Sequence, residues 1–388
     1  MIYRIVGSKS DSLPEQKRSL GSKTSKPTSA PTTSAPTRSP SDSDASMTIS
    51  STEVSFTGLS NYDSQGGEYE SFASSATGDH MFMTQASANV YGVWRSSDYG
   101  ANFELRDLDK IPSSVTCSKD GKTVYAFLGA YQGCFYKSED YGESWSDCDY
   151  SLTTQIKSLG SSMSDTGKYV VVKGYAYEYD RIFVSSDYGS SWTETLKYGR
   201  SGYYCNRNIE MSANGKYIYS INEKVLYKSS DYGVNFETIT LSDVSSLGVG
   251  TGWSDYWSPQ SLLGVEKDGK TICQGTSRGL ILSKNRGKTW EQLSVTSAHD
   301  YMGAYTCSVS ISGKYILAGG DYGTFLSDDQ GKSFAKVSSS SFSFTPMSTD
   351  GSHFILKTWA DMYYASNDAM SSRKLDTESL KKTNLRVA

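Results

Sequence analysis

Short runs of apolar, β-branched and aromatic residues alternate with polar turns along most of the chain. Residues 123–125 and 217–219 follow one kind of turn, and residues 134–137 and 181–184 precede another. Runs of this length, bounded by Gly, Asp and Ser, are typical of β-strands. Because a fourth run begins at the aromatic residue that closes the second turn, the pattern predicts units of four strands.

The second kind of turn is an octapeptide, Ser-x-Asp-x-Gly-x-x-(Trp/Phe), with six complete copies. A seventh, Ser366-Asn367-Asp368, has lost the glycine and the aromatic residue. Successive Asp or Asn positions are 42, 47, 44, 54, 44 and 39 residues apart, which is the period of a four-stranded propeller blade. These positions in the six complete copies are Asp98, Asp140, Asp187, Asp231, Asn285 and Asp329.

The first kind of turn, Ser-x-(Asp/Asn/Ser/Thr)-Gly-Lys, recurs in phase with the octapeptide. Clear copies include residues 118–122 and 212–216, and looser ones cover 75–79 and 348–352. Asp-Gly and Asn-Gly supply the positive φ values that tight hairpins need. Seven paired units predict an all-β fold, a seven-bladed β-propeller, with both kinds of turn at one end, the lower face.

The octapeptide resembles the Asp-box, or BNR, repeat of a superfamily of β-propellers, over about residues 52–375. The resemblance implies that each Asp accepts hydrogen bonds from N–H groups of its own turn, between the third and fourth strands of a blade. It also implies that the aromatic residue packs between sheets. A short carboxylate is a good turn acceptor and a ring buries much apolar area. We therefore interpret the six Asp or Asn residues as structural rather than as catalytic acids or calcium ligands.

A propeller must join its last blade to its first, because an open ring leaves two exposed sheet edges. Residues 55–59 match the run that follows an octapeptide, although no octapeptide precedes them, and Arg373 replaces the aromatic residue of the seventh copy. We expect residues 53–59 to supply the outer strand of blade seven. In the alternative, residues 373–375 complete that blade and residues 53–59 only pack nearby.

The N-terminal part of the chain differs in composition. Residues 16–40 contain half of the eight prolines, many Ser and Thr, and no acidic residue, which is typical of disorder. We predict a disordered segment over residues 1–46, the propeller over 47–375 and a tail over 376–388. The first segment fits a mucin-like stalk, a transit peptide or a plain linker, and residues 1–10 lack the apolar core of a secretory signal. Secreted or cell-surface and organelle-targeted locations both stay open.

Charge and cysteine usage exclude several classes of function. A net charge of −4 does not favour nucleic-acid binding. The sequence contains no run of 18 apolar residues that would predict a membrane span. Six cysteines without CxxC spacing and three histidines predict neither a metal site nor a cofactor. Cys134 and Cys148 flank the second octapeptide and could form a disulfide. The favoured alternative is two half-buried free thiols.

The loops at the opposite end, the upper face, are rich in aromatic residues, and the longest connection, about residues 240–262, carries the cluster at 253–257. Exposed rings stack on sugars, and Tyr, Trp and Arg anchor protein interfaces. The structural alternative is that these rings plug the channel mouth or pack between blades. The candidate ligand-binding residues are Tyr177, Tyr179, Arg181, Tyr203, Arg207, Trp253, Tyr256, Trp257 and Tyr301.

Several functions occur among Asp-box propellers: sialidases, xyloglucan-active glycosidases, sortilin-type receptors and photosystem II assembly factors. A sialidase is expected to carry Arg-Ile-Pro before its first blade, whereas the nearest match here is Arg4-Ile5-Val6. A glycoside hydrolase needs two carboxylates about 5–9.5 Å apart. By location alone the candidates are Glu178, Asp180, Asp255 and Asp300.

The favoured interpretation is a non-enzymatic, monomeric scaffold that binds a protein or glycan with its upper-face loops. It resembles the seven-bladed rings of sortilin type and of photosystem II assembly factors more than sialidases. The alternative is a glycoside hydrolase of sialidase or xyloglucanase type.

Overall fold

The computed structural model describes residues 55–57, 68–86, 91–129, 133–152, 156–199, 209–222, 225–240, 263–276, 279–293, 304–320, 323–338, 346–357 and 362–366. All described residues belong to the unit formed by residues 45–388. The predicted disorder of residues 1–46 and the predicted tail over 376–388 lie outside the described residues.

The described strands form sheets in which consecutive strands pair antiparallel, one sheet to each sequence repeat. The first two sheets contain β1 (Ser55–Thr57), β2 (Glu68–Ser74), β3 (Met81–Ala86), β4 (Gly92–Ser96) and β5 (Asn102–Asp107), then β6 (Pro112–Cys117), β7 (Val124–Leu128) and β8 (Phe135–Ser138). The next two contain β9 (Lys157–Met163), β10 (Val170–Ala176), β11 (Tyr179–Ser185) and β12 (Thr193–Gly199), then β13 (Glu210–Met211), β14 (Ile218–Asn222), β15 (Val225–Ser229) and β16 (Glu237–Thr240).

The remaining repeats continue the same order. The fifth and sixth sheets contain β17 (Leu263–Val265), β18 (Ile272–Thr276), β19 (Gly279–Ser283) and β20 (Glu291–Leu293), then β21 (Ala304–Val309), β22 (Ile316–Gly320), β23 (Gly323–Ser327) and β24 (Ala335–Ser338). The last repeat contributes the hairpin of β25 (His353–Lys357) and β26 (Met362–Ser366). The chain is therefore an all-β propeller.

The hydrophobic core lies between neighbouring sheets. Every residue of β10 is buried, whereas the outer strand β12 is mostly exposed or half-buried. One core cluster joins Phe127 and Phe135 of the second blade to Val172 and Trp192 of the third. The Trp192 ring meets the Phe127 and Phe135 rings edge-on at centroid distances of 5.7 and 5.4 Å. The aromatic residue of this octapeptide thus packs between sheets, as edge-to-face ring pairs favour.

Both kinds of turn lie at the lower face. The octapeptide turns follow the third strands, and in the second blade the Tyr141 N–H donates to the carbonyl of Lys122, in the turn after the first strand, at 3.0 Å. Turns of neighbouring repeats are also joined by backbone hydrogen bonds. They run from Ala76 to Lys119 (2.8 Å), Lys119 to Asp165 (3.0 Å), Asp165 to Ala213 (2.7 Å), Ala213 to Lys267 (2.8 Å) and Ile311 to Thr349 (2.5 Å).

The number of blades differs from the prediction. Six of the described sheets have three or more strands, so the described residues show six blades, and the prediction of seven was wrong. Within the described residues, the last repeat forms the hairpin of β25 and β26 and an isolated bridge between Met347 and Phe354. Its octapeptide has lost the aromatic residue that closes the turn in the complete copies and that packs between sheets in the third blade.

The N-terminal strand also differs from expectation. Ser55, Phe56 and Thr57 pair in parallel with Asn102, Phe103 and Glu104, so β1 is a fifth strand on the outer edge of the first blade. The expected pairing with blade seven was wrong. The physical reason is that β5 is the last strand of its repeat, and an uncovered edge presents unpaired N–H and C=O groups to any segment that can reach it.

The described residues of the propeller contain two disulfides. Cys134 and Cys148 are bonded, with Cα atoms 5.7 Å apart, so the favoured interpretation as free thiols was wrong. The second, which the sequence analysis did not predict, joins Cys273 of β18 to Cys307 of β21, with Cα atoms 6.1 Å apart. Because these strands belong to different sheets, this bond joins the fifth blade covalently to the sixth.

Candidate binding face

The hairpin of β10 and β11 carries the first candidate residues to the upper face. Val170 pairs with Ser185 at its lower end, and Ala176 pairs with Tyr179 at its upper end, so Tyr177 and Glu178 form a two-residue loop. Tyr177 has a φ of 56°, in the left-handed region that such loops require. Tyr177 is 88% exposed, so its ring adds little to the core and faces solvent.

Tyr179 and Arg181 lie on one face of β11, because side chains alternate along a strand. The Lys197 ammonium, on the neighbouring β12, is 4.1 Å from the centroid of the Tyr179 ring, within the range of a cation–π contact. The Arg181 guanidinium forms a 2.6 Å ion pair with the Glu194 carboxylate. This face of the third blade is therefore an ordered patch of one exposed ring and paired charges.

Asp180 lies on the other face of β11 and is only 4% exposed. The Tyr198 ring stacks on the Tyr227 ring of the fourth blade, at a centroid distance of 4.2 Å. Lys173, fully buried, donates from its ammonium to the Ser220 hydroxyl at 3.3 Å. Burial, and then the negative charge of Asp180, raise the pKa of the Tyr198 hydroxyl above its ordinary value. Asp180 thus belongs to a cluster of buried polar side chains between the third and fourth blades. Glu178, in contrast, is exposed on the loop.

The other candidates of the upper face lie outside the described residues. They are the proposed binding residues Tyr203, Arg207, Trp253, Tyr256, Trp257 and Tyr301 and the carboxylates Asp255 and Asp300.

At the lower face, the Asp-box carboxylates are occupied by their own turns. The Asp140 carboxylate accepts from the Ser144 N–H at 2.9 Å, the Ser144 hydroxyl at 2.5 Å and the Ser138 hydroxyl at 2.8 Å. These bonds, chiefly those from Ser144, lower the pKa of Asp140 to about 2, because they favour the charged form. The same 2.9 Å backbone bond joins Asn102 to Asp98, Ser191 to Asp187, Asn235 to Asp231, Thr289 to Asn285 and Ser333 to Asp329.

One titratable residue of the inner strands was not among the predicted site residues. Glu210 begins β13 beside the buried Ile209 and Met211, and its carboxylate accepts from the Ser162 hydroxyl of the third blade at 3.0 Å. Burial raises the pKa of Glu210 to about 7. An acidic residue between two apolar residues of a predicted inner strand was the available signal.

Within the described ranges, no group of three or more His, Cys, Asp or Glu side chains could hold a metal ion. No helix in the described part of the chain is long and apolar enough to cross a membrane.

The repeat itself matches a known family. The profile of the BNR-Asp box repeat matches residues 182–195, which cover the octapeptide of the third blade. No curated protein matches the chain. The repeat match and the propeller fold together support a relationship of the chain to the BNR/Asp-box β-propeller superfamily.

Solved structures with the same fold include both an enzyme and a binding protein. An ancestral GH74 enzyme is 14% identical with a TM-score of 0.56 over 78% of this chain, which spans only 45% of that one. YCF48 from Cyanidioschyzon merolae is 11% identical with a TM-score of 0.55, over 80% of this chain and 98% of that one. YCF48 bound to D1 peptide is 13% identical with a TM-score of 0.52, over 78% and 93%. At these identities the likeness concerns the fold.

Proposed function

We propose that the protein is a non-enzymatic scaffold that binds a protein or glycan partner with the loops of its upper face. The observation that carries this proposal is the exposed ring of Tyr177, held at the tip of a hairpin whose strands are paired along their whole length. Exposed aromatic side chains on a rigid support lose little conformational entropy when they bind.

The surroundings of Tyr177 support the same function. Lys197 above the Tyr179 ring and Arg181 beside Glu194 offer charged and aromatic groups in fixed positions. Tyr and Arg are enriched among residues that dominate binding energy at protein interfaces. The likeness in fold to YCF48, which has been solved bound to a peptide, is compatible with this role. The finer resemblance to sortilin-type rings remains a prediction.

The binding residues proposed from the sequence are testable on the full-length chain. Glycan arrays and peptide arrays should be probed with the wild-type protein, Tyr177→Ala, and the double variant Trp253→Ala/Trp257→Ala. Tyr188→Ala is a matched control, because Tyr188 is also exposed and has positive φ but lies in an octapeptide turn of the lower face.

We expect both upper-face variants to lose binding to the same probes and the control to retain it. Equal binding by all four proteins would contradict the assignment of the upper face. Light scattering after size exclusion tests the accompanying proposal that the protein acts as a monomer.

A glycoside hydrolase is the alternative, and the likeness in fold to an ancestral GH74 enzyme gives it its main support. It needs two facing carboxylates, one as acid and one as base or nucleophile. Glu178 is exposed on the hairpin loop whereas Asp180 is buried between blades, which is poor support for two carboxylates that face each other. Asp255 and Asp300 are therefore the candidates to test. Release of reducing sugar from polysaccharides by the wild type, abolished in Asp255→Asn or Asp300→Asn, would favour the hydrolase over the scaffold.

A further inference from the structure

A second surface feature lies far from the hairpin tip in sequence, between the outer parts of the first and second blades. It is a cleft of about 710 Å³. The first blade contributes residues 106–110, which run from the end of β5 into the connection to β6. The second blade contributes Tyr136 of β8 and residues 143–148 and Tyr150. We refer to it as the outer cleft.

The outer cleft exists because the second blade has an irregular outer segment. The third to sixth blades each have a fourth strand after the octapeptide, whereas the second blade has a three-stranded sheet. Its outer segment is attached by an isolated bridge between Phe135 and Asp149 and by the disulfide between Cys134 and Cys148. The wall of the cleft is thus held in place covalently, although it is not a strand.

The cations of the outer cleft are already neutralised. The Arg106 guanidinium pairs with the Glu143 carboxylate across the two blades at 2.5 Å. The Lys110 ammonium pairs with the Asp109 carboxylate at 3.0 Å. Asp107 and Asp147 are exposed and have no ion pair among the described residues. The cleft therefore carries an excess of negative charge.

The aromatic side of the outer cleft, like its negative charge, is suited to a cationic ligand. Tyr150 is 61% exposed, and the Lys110 ammonium already lies 6.0 Å from the centroid of its ring. The negative face of an aromatic ring attracts cations, and neighbouring carboxylates add to that attraction. A neutral sugar would use the rings but would leave the charges of Asp107 and Asp147 uncompensated.

We propose that the outer cleft binds a basic peptide segment, whose lysine or arginine side chains are held by the Asp107 and Asp147 carboxylates and the Tyr150 ring. The charge excess and the exposed ring favour this ligand. The site is separate from the upper-face site, so either could exist without the other.

The test uses the full-length protein and fluorescence anisotropy of a labelled lysine-rich octapeptide, with a glutamate-rich octapeptide of the same length as the control ligand. We expect the lysine-rich peptide to bind and the glutamate-rich peptide not to bind. Asp107→Asn/Asp147→Asn and Tyr150→Ala should each weaken binding by about tenfold or more, and binding should weaken further as salt is raised.

Three matched variants make the result specific. Asp328→Asn removes an exposed acid and Tyr188→Ala an exposed ring elsewhere, and Tyr177→Ala tests the upper face. All three should bind the lysine-rich peptide like the wild type, and circular dichroism should confirm that every variant is folded. Equal binding of both peptides, no loss in Asp107→Asn/Asp147→Asn, or displacement by an uncharged oligosaccharide would overturn the proposal.

Discussion

The backbone N–H of Asp350 donates a 2.8 Å hydrogen bond to the carbonyl of Ala76, and so fastens the last sequence repeat to the first. The His353 ring stacks on the Tyr99 ring of the first blade beside this bond, at a centroid distance of 4.8 Å. The same relationship recurs between His80 and Tyr141, one repeat further on, at 4.5 Å. The last repeat therefore lies next to the first blade, although its described strands form only a hairpin.

The contact between the first and last repeats predicts that a substitution at Gly78 destabilises the fold. This residue has a φ of 78°, and a Cβ atom there would lie 3.1 Å from the Ser348 Cβ and 3.2 Å from the His353 ring. Gly78→Ala should therefore lower the free energy of unfolding by about 1–2 kcal/mol, measured by urea denaturation. Gly167→Ala is the matched control, because Gly167 also has a positive φ, of 74°, but a Cβ there would come no closer than 3.4 Å to another atom. Equal effects at the two positions would show that the contact with the last repeat is unimportant.

The Asp-box turn predicts that different substitutions of Asp140 lower the stability of the fold to different degrees. Asp140→Ala removes the acceptor of the Ser144 N–H and should cost about 1–2 kcal/mol, like the loss of a helix cap. Asp140→Asn should cost less, because Asn285 accepts the same backbone bond in the fifth blade. Glu139→Ala, which removes the exposed neighbouring carboxylate, is the control. A melting temperature unchanged in Asp140→Ala would contradict the structural role.

The same turns predict sensitivity to acid. Hydrogen bonds from Ser144 and Ser333 hold the pKa of Asp140 and of Asp329 at about 2, below the ordinary value of 3.8. A lowered pKa stabilises the fold above the ordinary value, and this contribution is lost as the pH falls from about 4 to about 2. Unfolding by urea across that range should show a smaller loss of stability in Asp140→Asn/Asp329→Asn than in the wild type. Parallel curves for the two proteins would contradict this.

The blade architecture could be predicted from the sequence because it depends on local chemistry. A turn such as the one at Asp140 needs only its own residues, and its recurrence sets the strands on either side. Pairings between segments that are distant along the chain were harder to predict from the sequence. The resemblance of residues 55–57 to the run after an octapeptide predicted an outer strand of blade seven, and this was wrong. A strand of that kind fits any uncovered edge, and the choice of β5 depends on where the chain lies in space.

The candidate site shows the same division. The sequence analysis placed Tyr177 and Glu178 in a loop of the upper face, and they lie between the paired strands β10 and β11. The burial of Asp180 was not predicted, because it depends on the fourth blade packed against the third. The disulfide of Cys273 and Cys307 spans 34 residues and two blades, so its partners become neighbours only after the sheets have stacked. Spacing along the chain carries no information about such contacts.

The disulfides predict a specific thiol count. The chain has six cysteines and four of the described ones are bonded, so the unreduced, denatured protein should show no more than two free thiols. Burial raises the pKa of the Cys117 thiol, so that residue should react slowly before denaturation. More than two thiols would contradict the pairing.

The bond between the fifth and sixth blades should also contribute to stability. Cys273→Ser/Cys307→Ser should lower the free energy of unfolding by about 2–4 kcal/mol, because the bond restricts the unfolded chain and its loss leaves hydroxyls in a buried site. The disulfide between Cys134 and Cys148 closes a shorter loop, so Cys134→Ser/Cys148→Ser should lower the free energy of unfolding by less. The reverse order of the two effects would argue against the bond between blades.

Glu210 predicts a dependence on pH of the opposite sign to that of the Asp-box turns. Burial raises the pKa of Glu210 to about 7, above the ordinary value of 4.5, so between these values the folded protein binds more protons than the unfolded chain. Stability from this group is therefore greatest below about pH 4.5 and is lost as the pH rises to about 7. Glu210→Gln should flatten the stability curve over that range, because the amide cannot ionise and can still accept from the Ser162 hydroxyl. Glu178→Gln, at the exposed hairpin loop, should leave the curve unchanged. A slope between pH 5 and 7 that persists in Glu210→Gln would mean that another group causes it.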